Sequence, residues 1–386
     1  MAQRRLRLGF VGGGPESFIG PVHRMAARLD DRYKIVAGAL SRDPARARTA
    51  ADAIHLAHDR AYDDYRAMAA AEAARPDGID VVAIVTPNHL HDAVAAAFLD
   101  AGIHVICDKP MAVAMAAAQN LAARVRRTGL VFGLTHNYTG YPMVREARAM
   151  VEAGALGPIR LVRSEYVQDW LATAIEATGQ KQAAWRADPA LAGPAGCLGD
   201  IGTHAYHLAG FVTGLDCEEI AAELSRFVPG RRLDDNVEVL LRYRGGARGT
   251  LWASQVAPGH ANDLSLRIYG EKAGLAWRQE DPERLWLTPL GEAPRLIRRG
   301  GPGNIVPGAY ASRVPTGHPE GFIEAFAQLY ADFAEQITAH LEKRAPDPAA
   351  LLAPGVEAGL DTARFVAAAL DSARRNAAWV AIPAAG

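Results

Sequence analysis

The sequence predicts an α/β protein in which a doubly wound parallel sheet is followed by an α+β domain with a large, mainly antiparallel open sheet. Three observations predict this. Apolar strands alternate with helices in the first third of the chain, and a glycine-rich turn follows the first strand. After about residue 135, strands follow one another with only turn signals between them. At roughly 100–200 residues per domain, a chain of 386 residues also suits two domains.

The N-terminal domain is predicted to cover residues 1–134. Its segment 80–86 is apolar and β-branched, as expected of a central parallel strand. Helices between such strands imply a parallel, doubly wound sheet. The predicted strands are 6–11, 33–40, 80–86, 104–108 and 130–134, and the predicted helices are a first one ending at Leu29, then 43–53, 62–74, 89–101 and 114–128.

The C-terminal domain is predicted to cover residues 135–386. Its strands are separated by turn signals such as "RGG" and "GEKAG", which favour an antiparallel meander. Pro and Glu in "HPEG" (318–321) indicate the start of a helix. The predicted strands are 159–167, 218–228, 235–243, 247–256, 263–270, 273–278 and 284–289, and the predicted helices are 141–153, 319–342 and 348–375.

The composition excludes several classes of protein. The chain is 49% hydrophobic and 22% charged with a net charge of −1, so we expect a globular protein with neither nucleic acid nor a membrane surface as partner. Its N-terminal apolar run is too short for a signal peptide. Three scattered cysteines (Cys107, Cys197 and Cys217) fit a reducing cytoplasm better than a disulfide scaffold.

The turn after the first strand, "GFVGGGPESFIG" (9–20), predicts a dinucleotide site. Gly12, Gly14 and Gly20 resemble the G-x-G-x-x-G fingerprint, with a last gap three residues longer. Glycines let the backbone approach a pyrophosphate at a helix N-terminus. The second strand ends in "ALSRD" instead of an acidic residue. Ser41 and Arg42 at this position slightly favour a cofactor with a 2′-phosphate, which is NADP, but they do not decide between NAD and NADP.

Two later strands end at the same predicted edge. "TPNHLH" (86–91) places Pro87, Asn88 and His91 near a bound nicotinamide, because ligands bind beyond the carboxyl ends of parallel strands. The alternative is that Asn88 caps a helix and the histidines lie on the surface. "DKP" (108–110) follows the fourth strand, and Lys109 is one of only five lysines in a chain with 42 basic residues.

The segment "GDIGTHAYH" (199–207) carries an acid and two imidazoles. At positions i, i+4 and i+7, Asp200, His204 and His207 share one face of a helix. An acid–base pair, a helix cap at Asp200 and a metal site are all open. Chance produces such spacing often, and no further Cys/His cluster completes a site, so we expect no metal.

Together, "GGG", "TPNHLH", "DKP" and "GDIGTH" resemble the Gfo/Idh/MocA oxidoreductases in order and spacing over essentially the whole chain. The resemblance implies a Rossmann dinucleotide-binding domain, an open-sheet domain that pairs in dimers or tetramers, and NAD or NADP as cofactor. By resemblance, Lys109 is the active-site lysine, and Asp200 and His204 match the conserved acid and histidine. Asp108 replaces the usual Glu, and the glycine loop is lengthened.

"YVQDW" (166–170) and "QAAWR" (182–186) resemble the branch of the family that acts on sugars, anhydrosugars and inositols. Oxidising an alcohol needs a base that titrates near neutral pH, so His204 is predicted as general base. Lys109 would stabilise charge on the reacting oxygen, and Asp200 would either bind a neighbouring substrate hydroxyl or orient His204. Further candidates for substrate binding are Tyr138, Gln168, Trp185 and Arg186.

We therefore predict a cytoplasmic, homo-oligomeric NAD(P)-dependent dehydrogenase of a cyclic polyol. One rival is a glycoside hydrolase that oxidises its substrate transiently with NAD, eliminates the aglycone and is re-reduced. Another is a non-catalytic sugar or nucleotide sensor. The joint presence of Lys109, Asp200 and His204 argues against the sensor.

Overall fold

A computed structural model describes residues 4–14, 17–305 and 312–383, and the chain divides into two compact units. Unit 1 contains residues 1–137 and 326–360, and unit 2 contains residues 138–325 and 361–386. The predicted division at 134/135 had assigned the whole C-terminal part to the second domain. Segment 326–360 groups with unit 1 because it packs there: Tyr33 Oη donates to the Tyr330 carbonyl oxygen (2.7 Å).

Unit 1 contains the predicted parallel sheet, with strand order β2-β1-β3-β4-β5. Strand β3, in the middle, is buried throughout, in agreement with its apolar, β-branched sequence. The strands are β1 Leu6–Gly12, β2 Tyr33–Ala39, β3 Val81–Val85, β4 His104–Cys107 and β5 Phe132–Leu134. The helices are α1 Ile19–Leu29, α2 Pro44–Asp52, α3 Tyr65–Ala74, α4 His91–Asp100 and α5 Met115–Thr128.

The chain reverses its direction of travel across this sheet at β1. Strand β1 pairs with β2 on one side and with β3 on the other, in parallel on both sides. In open parallel sheets ligands bind outside the carboxyl ends of the strands at such a switch point. The turns after β1, β2, β3 and β4 are therefore the expected ligand site of unit 1.

Unit 2 is built on a nine-stranded sheet with the order β13-β12-β11-β10-β6-β9-β8-β7-β14. All its pairs are antiparallel except β6 with β9. The strands are β6 Ile159–Val167, β7 Cys217–Ser225, β8 Asn236–Tyr243, β9 Arg248–Ser254, β10 Asp263–Gly270, β11 Ala273–Arg278, β12 Arg284–Pro289, β13 Arg295–Arg298 and β14 Val380–Ala381. Its helices are α6 Pro142–Glu152, α7 Lys181–Arg186, α8 Pro189–Ala192 and α9 Thr203–Thr213.

Two long helices close the chain, and both differ from their predicted bounds. Helix α10 covers Phe322–Glu342 and starts after the predicted residue 319. The predicted helix 348–375 is a 3₁₀ turn, Pro348–Leu352, followed by helix α11, Val356–Arg374. Pro354 and Gly355 lie between them and interrupt the helical hydrogen bonding. The short elements α7, α8, β13 and β14 were not predicted.

In the described part of the chain, no helix has both the length and the apolar character needed to cross a bilayer.

Candidate active site

The glycine-rich turn after β1 has the geometry that a dinucleotide loop needs. Gly12 and Gly13 adopt left-handed φ angles of 79° and 70°. A Cβ on Gly20 would lie 2.5 Å from Gly13 Cα, and a Cβ on Gly14 would lie 2.9 Å from the Leu40 carbonyl oxygen. The backbone at the start of α1 therefore packs directly against the backbone of the glycine-rich turn. Gly13 was missed as a site residue, and residues 15 and 16 of the long loop lie outside the described residues.

The turn after β2 carries the predicted contacts to the adenosine ribose. Ser41 Oγ accepts a hydrogen bond from the Asp43 amide (3.2 Å), and Asp43 Oδ1 accepts one from the Arg46 amide (2.8 Å) as the N-cap of α2. Since this acid caps a helix, the exposed Arg42 and the half-buried Ser41 remain the candidates for recognising the ribose or its phosphate.

The alternative interpretation of the turn after β3 was that Asn88 caps a helix and the histidines lie on the surface. The structure differs from it at Asn88 and His91. The N-cap of α4 is Leu90, so Asn88 does not cap that helix; it follows Pro87 in a short 3₁₀ turn. His91 is completely buried and is not a surface residue.

His91 also differs from its predicted role as a cofactor contact. Its Nδ1 lies 2.6 Å from the Pro110 carbonyl oxygen and its Nε2 lies 2.8 Å from the Thr86 carbonyl oxygen. Both ring nitrogens thus face main-chain carbonyl oxygens at hydrogen-bonding distance. No ring nitrogen is left for a cofactor, and His91 instead ties the turn after β3 to the turn after β4.

Lys109 follows a charged carboxylate at the end of β4. Asp108 Oδ1 accepts hydrogen bonds from the Lys109 amide (3.0 Å) and from Thr135 Oγ1 (2.8 Å). Burial alone would raise the pKa of Asp108, but the neighbouring His23, Lys109 and His91 hold that pKa well below its usual range. The backbone of Lys109 is thus anchored on an anion.

Buried polar atoms at this edge test whether a dinucleotide fits. Among the described residues, Thr86 Oγ1, His89 Nδ1 and Asn137 Nδ2 are buried without a hydrogen-bond partner. Such groups are rare in native proteins and call for an explanation. They follow β3 and β5, at the edge where a nicotinamide and its ribose would offer hydrogen-bonding groups. The residues present fit the cofactor.

In unit 2, Asp200 lies in a π-helical turn, Leu198–Gly202, that precedes α9. Asp234 anchors the turn by accepting hydrogen bonds from the Gly196 and Leu198 amides (2.7 Å each). Asp200 therefore lies in a π-turn, whereas His204 and His207 lie in the regular α-helix that follows it. Such turns are frequent at functional sites.

Asp200 is grouped with two other predicted substrate-binding residues, Arg186 and Trp185. Its Oδ2 accepts hydrogen bonds from Arg186 Nε (3.1 Å) and Gln255 Nε2 (2.9 Å). The Arg186 guanidinium lies 4.2 Å from the centre of the Trp185 ring and donates to Gln182 Oε1 (2.8 Å). This group combines a carboxylate, amides and a flat aromatic surface. Gln182 and Gln255 were missed.

His204 lies among aromatic rings. It is 7% exposed, and its ring meets Tyr138 edge to face, with 4.9 Å between centroids. Tyr138 Oη is hydrogen-bonded to Tyr166 Oη, which donates to Asn262 Oδ1 (2.8 Å). Gln168 Nε2 donates to the same oxygen (2.6 Å). Tyr166 and Asn262 were missed.

Tyr138 was predicted to bind substrate, but it is only 4% exposed and its hydroxyl is engaged. Burial raises its pKa to about 12, so the phenol stays protonated at neutral pH. The position of Tyr138 suits it to orient His204.

His207 is not one of the proposed catalytic residues. Its ring stacks on Phe211, and burial lowers its pKa to about 4, which keeps the imidazole neutral. Within the part of the chain that the structure describes, no three His, Cys, Asp or Glu side chains are grouped to hold a metal ion.

Both halves of the chain match one family. Residues 6–136 match the oxidoreductase family with an NAD-binding Rossmann fold, and residues 144–276 match the GFO/IDH/MocA C-terminal domain. The chain is 35% identical to the oxidoreductase YfiI of Bacillus subtilis over 381 residues, covering 97% of this chain and 96% of the relative. The chain belongs to the Gfo/Idh/MocA oxidoreductase family.

Two relatives have informative names. An inositol dehydrogenase homolog from Azotobacter vinelandii, solved with NADH and myo-inositol, superimposes with a TM-score of 0.90 at 36% identity, over 99% of this chain and 98% of its own. Levoglucosan dehydrogenase of Pseudarthrobacter phenanthrenivorans is 29% identical over 74% of this chain and 76% of its own. The family description makes the chain an oxidoreductase with an NAD-binding Rossmann domain.

Proposed function

We propose that the protein oxidises a ring hydroxyl of a neutral cyclic polyol, an inositol, sugar or anhydrosugar, and that Lys109, Asp200 and His204 are its catalytic residues. The observation that carries this proposal is the surrounding of Asp200. A carboxylate, two glutamines and an indole face offer hydrogen bonds to several hydroxyls and a flat apolar surface to a ring. The names of the two relatives support the same class.

The bound nicotinamide supplies the carbon that accepts the hydride. His204 takes the proton from the reacting hydroxyl, since imidazole is the side chain suited to accept a proton near neutral pH. Its ring is oriented by Tyr138, and the protonated tyrosine does not compete as a base. Proton transfer of this kind contributes roughly 10²–10⁴-fold to the rate.

Lys109 places an ammonium beside the reacting oxygen and stabilises negative charge as the proton leaves. The Lys109 amide donates a hydrogen bond to Asp108, which supports a defined position for the Lys109 backbone from which the side chain extends. Asp200 accepts hydrogen bonds from a neighbouring substrate hydroxyl, while Arg186 orients the carboxylate. Gly12, Gly14, Ser41, Arg42, Pro87 and Asn88 remain proposed cofactor contacts.

The test is absorbance at 340 nm with inositols, glucose, glucosides, xylose and levoglucosan, each with NAD⁺ and with NADP⁺. We expect a rise with one substrate class, and the preferred dinucleotide decides whether Ser41 and Arg42 recognise a 2′-phosphate. No rise, combined with nitrophenol release from nitrophenyl glycosides, would replace the dehydrogenase by the redox-assisted hydrolase.

The homo-oligomer, a dimer or tetramer, and the cytoplasmic location also remain proposals. One face of the unit 2 sheet exposes large apolar side chains, which supports association of copies. They are Leu161, Leu240, Tyr269 and Trp286.

A further inference from the structure

A buried histidine of unit 1 lies beside the carboxylate that anchors Lys109. His23 is on α1, one turn after Gly20, and is completely buried. Its Nδ1 lies 2.9 Å from Tyr330 Oη, and its Nε2 lies 3.8 Å from Asp108 Oδ1. None of the functional assignments above uses this residue.

The orientation of the imidazole is fixed on several sides. Its ring packs edge-on against Phe326 (centroids 5.1 Å apart) and Tyr330 (5.9 Å). Burial, and then the charge of Asp108, raise the pKa of Tyr330 well above its usual value, so this phenol keeps its proton. A protonated phenol can donate to Nδ1, and the tautomer in which it does so carries the ring proton on Nε2, the nitrogen 3.8 Å from Asp108 Oδ1.

Asp108 has three neighbours that favour its charged form. Its Oδ1 accepts hydrogen bonds from the Lys109 amide and the Thr135 hydroxyl, and His23 Nε2, a buried nitrogen with no hydrogen-bond partner among the described residues, lies 3.8 Å from the same oxygen. A carboxylate with its partners removed would be costly to keep in this buried place. The imidazole thus helps to hold the anion, and the anion holds the backbone of Lys109.

We propose that His23 is a positioning residue for Lys109, acting through the carboxylate of Asp108. The chain Tyr330–His23–Asp108–Lys109 links α10, the helix that opens at the glycine turn and the segment after β4. The importance of this position for catalysis rests on the proposed function, but the position itself does not.

The experiment measures Lys109 without turnover. Short treatment with acetic anhydride, followed by peptide mass spectrometry, gives the acetylation rate of each lysine in the folded protein. Only five lysines are present, so Lys34, Lys181, Lys272 and Lys343 serve as internal references. Binding of NAD⁺, measured by calorimetry, is the second readout.

Three substitutions separate the two ring nitrogens. H23Q carries an amide near the place of Nε2, from which it can donate toward Asp108. H23N carries its amide near the place of Nδ1 and does not reach Asp108. H23F keeps the ring packing and removes both nitrogens. The matched control is H104F, at a buried histidine whose Nδ1 accepts the Val131 amide (3.0 Å).

We expect H23N and H23F to raise the acetylation rate of Lys109 about fivefold or more, because a carboxylate that loses a buried polar neighbour holds its remaining partners less firmly. H23Q should stay within about twofold of the wild type, as should H104F and the four reference lysines. If H23F does not fold, the difference in Lys109 acetylation rate between H23Q and H23N still tests the proposal.

A double mutant tests the route through Asp108. In a D108N background, H23F should add almost nothing to the change at Lys109, since coupled residues are not additive. Equal rates for H23Q and H23N, or a full additional effect of H23F in D108N, would overturn the proposal. Because no substrate is used, either result stands independently of the outcome of the polyol assay.

Discussion

The surroundings of Lys109 in unit 1 and of His204 in unit 2 are built in different ways. Lys109 follows a strand of the parallel sheet, and backbone groups fix its segment: its own amide binds Asp108, and the Pro110 carbonyl binds His91. His204 is placed by side chains, through the rings of Tyr138 and Tyr166. Main-chain geometry thus positions one proposed catalytic group and side-chain packing the other.

This difference teaches how each site can change. A turn held by its backbone depends on strand order and on a few glycines, so most side chains around it can vary while the dinucleotide site persists. A residue held by side chains changes its surroundings with each neighbour. We expect cofactor binding to depend on unit 1 and substrate selection to depend on unit 2.

The largest expected effect comes from removing the proposed reacting groups. H204N should lower kcat about 10²–10⁴-fold, because the general base is lost, and should leave the Kd of NAD⁺ unchanged. K109M should lower kcat to a similar extent and also weaken NAD⁺ binding, since Lys109 lies in the turns of unit 1. Steady-state kinetics on the preferred polyol and calorimetry with NAD⁺ measure the two quantities.

Controls for this pair are the exposed K34M in unit 1 and H318N in unit 2. Both should behave like the wild type. If H204N weakened NAD⁺ binding as much as K109M does, the assignment of cofactor and substrate to separate units would fail. Full turnover by either variant would remove that residue from the catalytic set.

A second pair compares one glycine in each unit. In G20A the new Cβ would meet Gly13 Cα at 2.5 Å, so the backbone must shift at a cost of roughly 1–3 kcal/mol, and NAD⁺ affinity should fall about tenfold or more. Gly210, inside α9, has no atom within 4 Å of an added Cβ. G210A should stabilise the protein by roughly 0.5–1 kcal/mol.

Urea unfolding and NAD⁺ calorimetry on both variants test this contrast. The free energy of unfolding should fall for G20A and rise for G210A. Unchanged NAD⁺ affinity in G20A would show that the close contact of α1 with the turn is not needed for the dinucleotide site.

The sequence was informative for unit 1 because strand order alone brings its site residues to one edge. "GGG", "TPN" and "DKP" each end a buried strand, and parallel strands end together. The role of His91 could not be predicted in this way, because its partners are the carbonyls of Thr86 and Pro110. Backbone acceptors have no signal in a sequence.

In unit 2 little in the sequence indicates which residues lie in contact. Asn262 lies 96 residues from its partner Tyr166, and Gln255 lies 55 residues from Asp200. The structure explains the position of Gln255. Strands β6 and β9 are parallel neighbours, so Gln168 and Gln255 follow strands that end at the same edge of the sheet. The prediction of an antiparallel meander did not include this parallel pair.

The smallest expected effect concerns one histidine in each unit, the buried His104 and the half-buried His207. Burial is the main cause that lowers the pKa of each to about 4, from an ordinary value of 6.5. Between these values the unfolded chain binds more protons than the folded one, so the free energy of unfolding falls as the pH drops from about 6.5 to about 4. Above pH 7 neither residue contributes to pH dependence.

We expect H104N and H207N each to reduce the loss of stability between pH 7.5 and pH 5 by roughly 1–2 kcal/mol, measured by urea unfolding at both pH values. The two should differ in one respect. His340 also lowers the pKa of His104, its ring lying 4.8 Å away, whereas burial alone acts on His207. H340N should therefore recover a small part of the effect seen in H104N and add nothing to H207N. An acid-induced loss that is the same in all of these variants would show that other groups control the acid stability of both units.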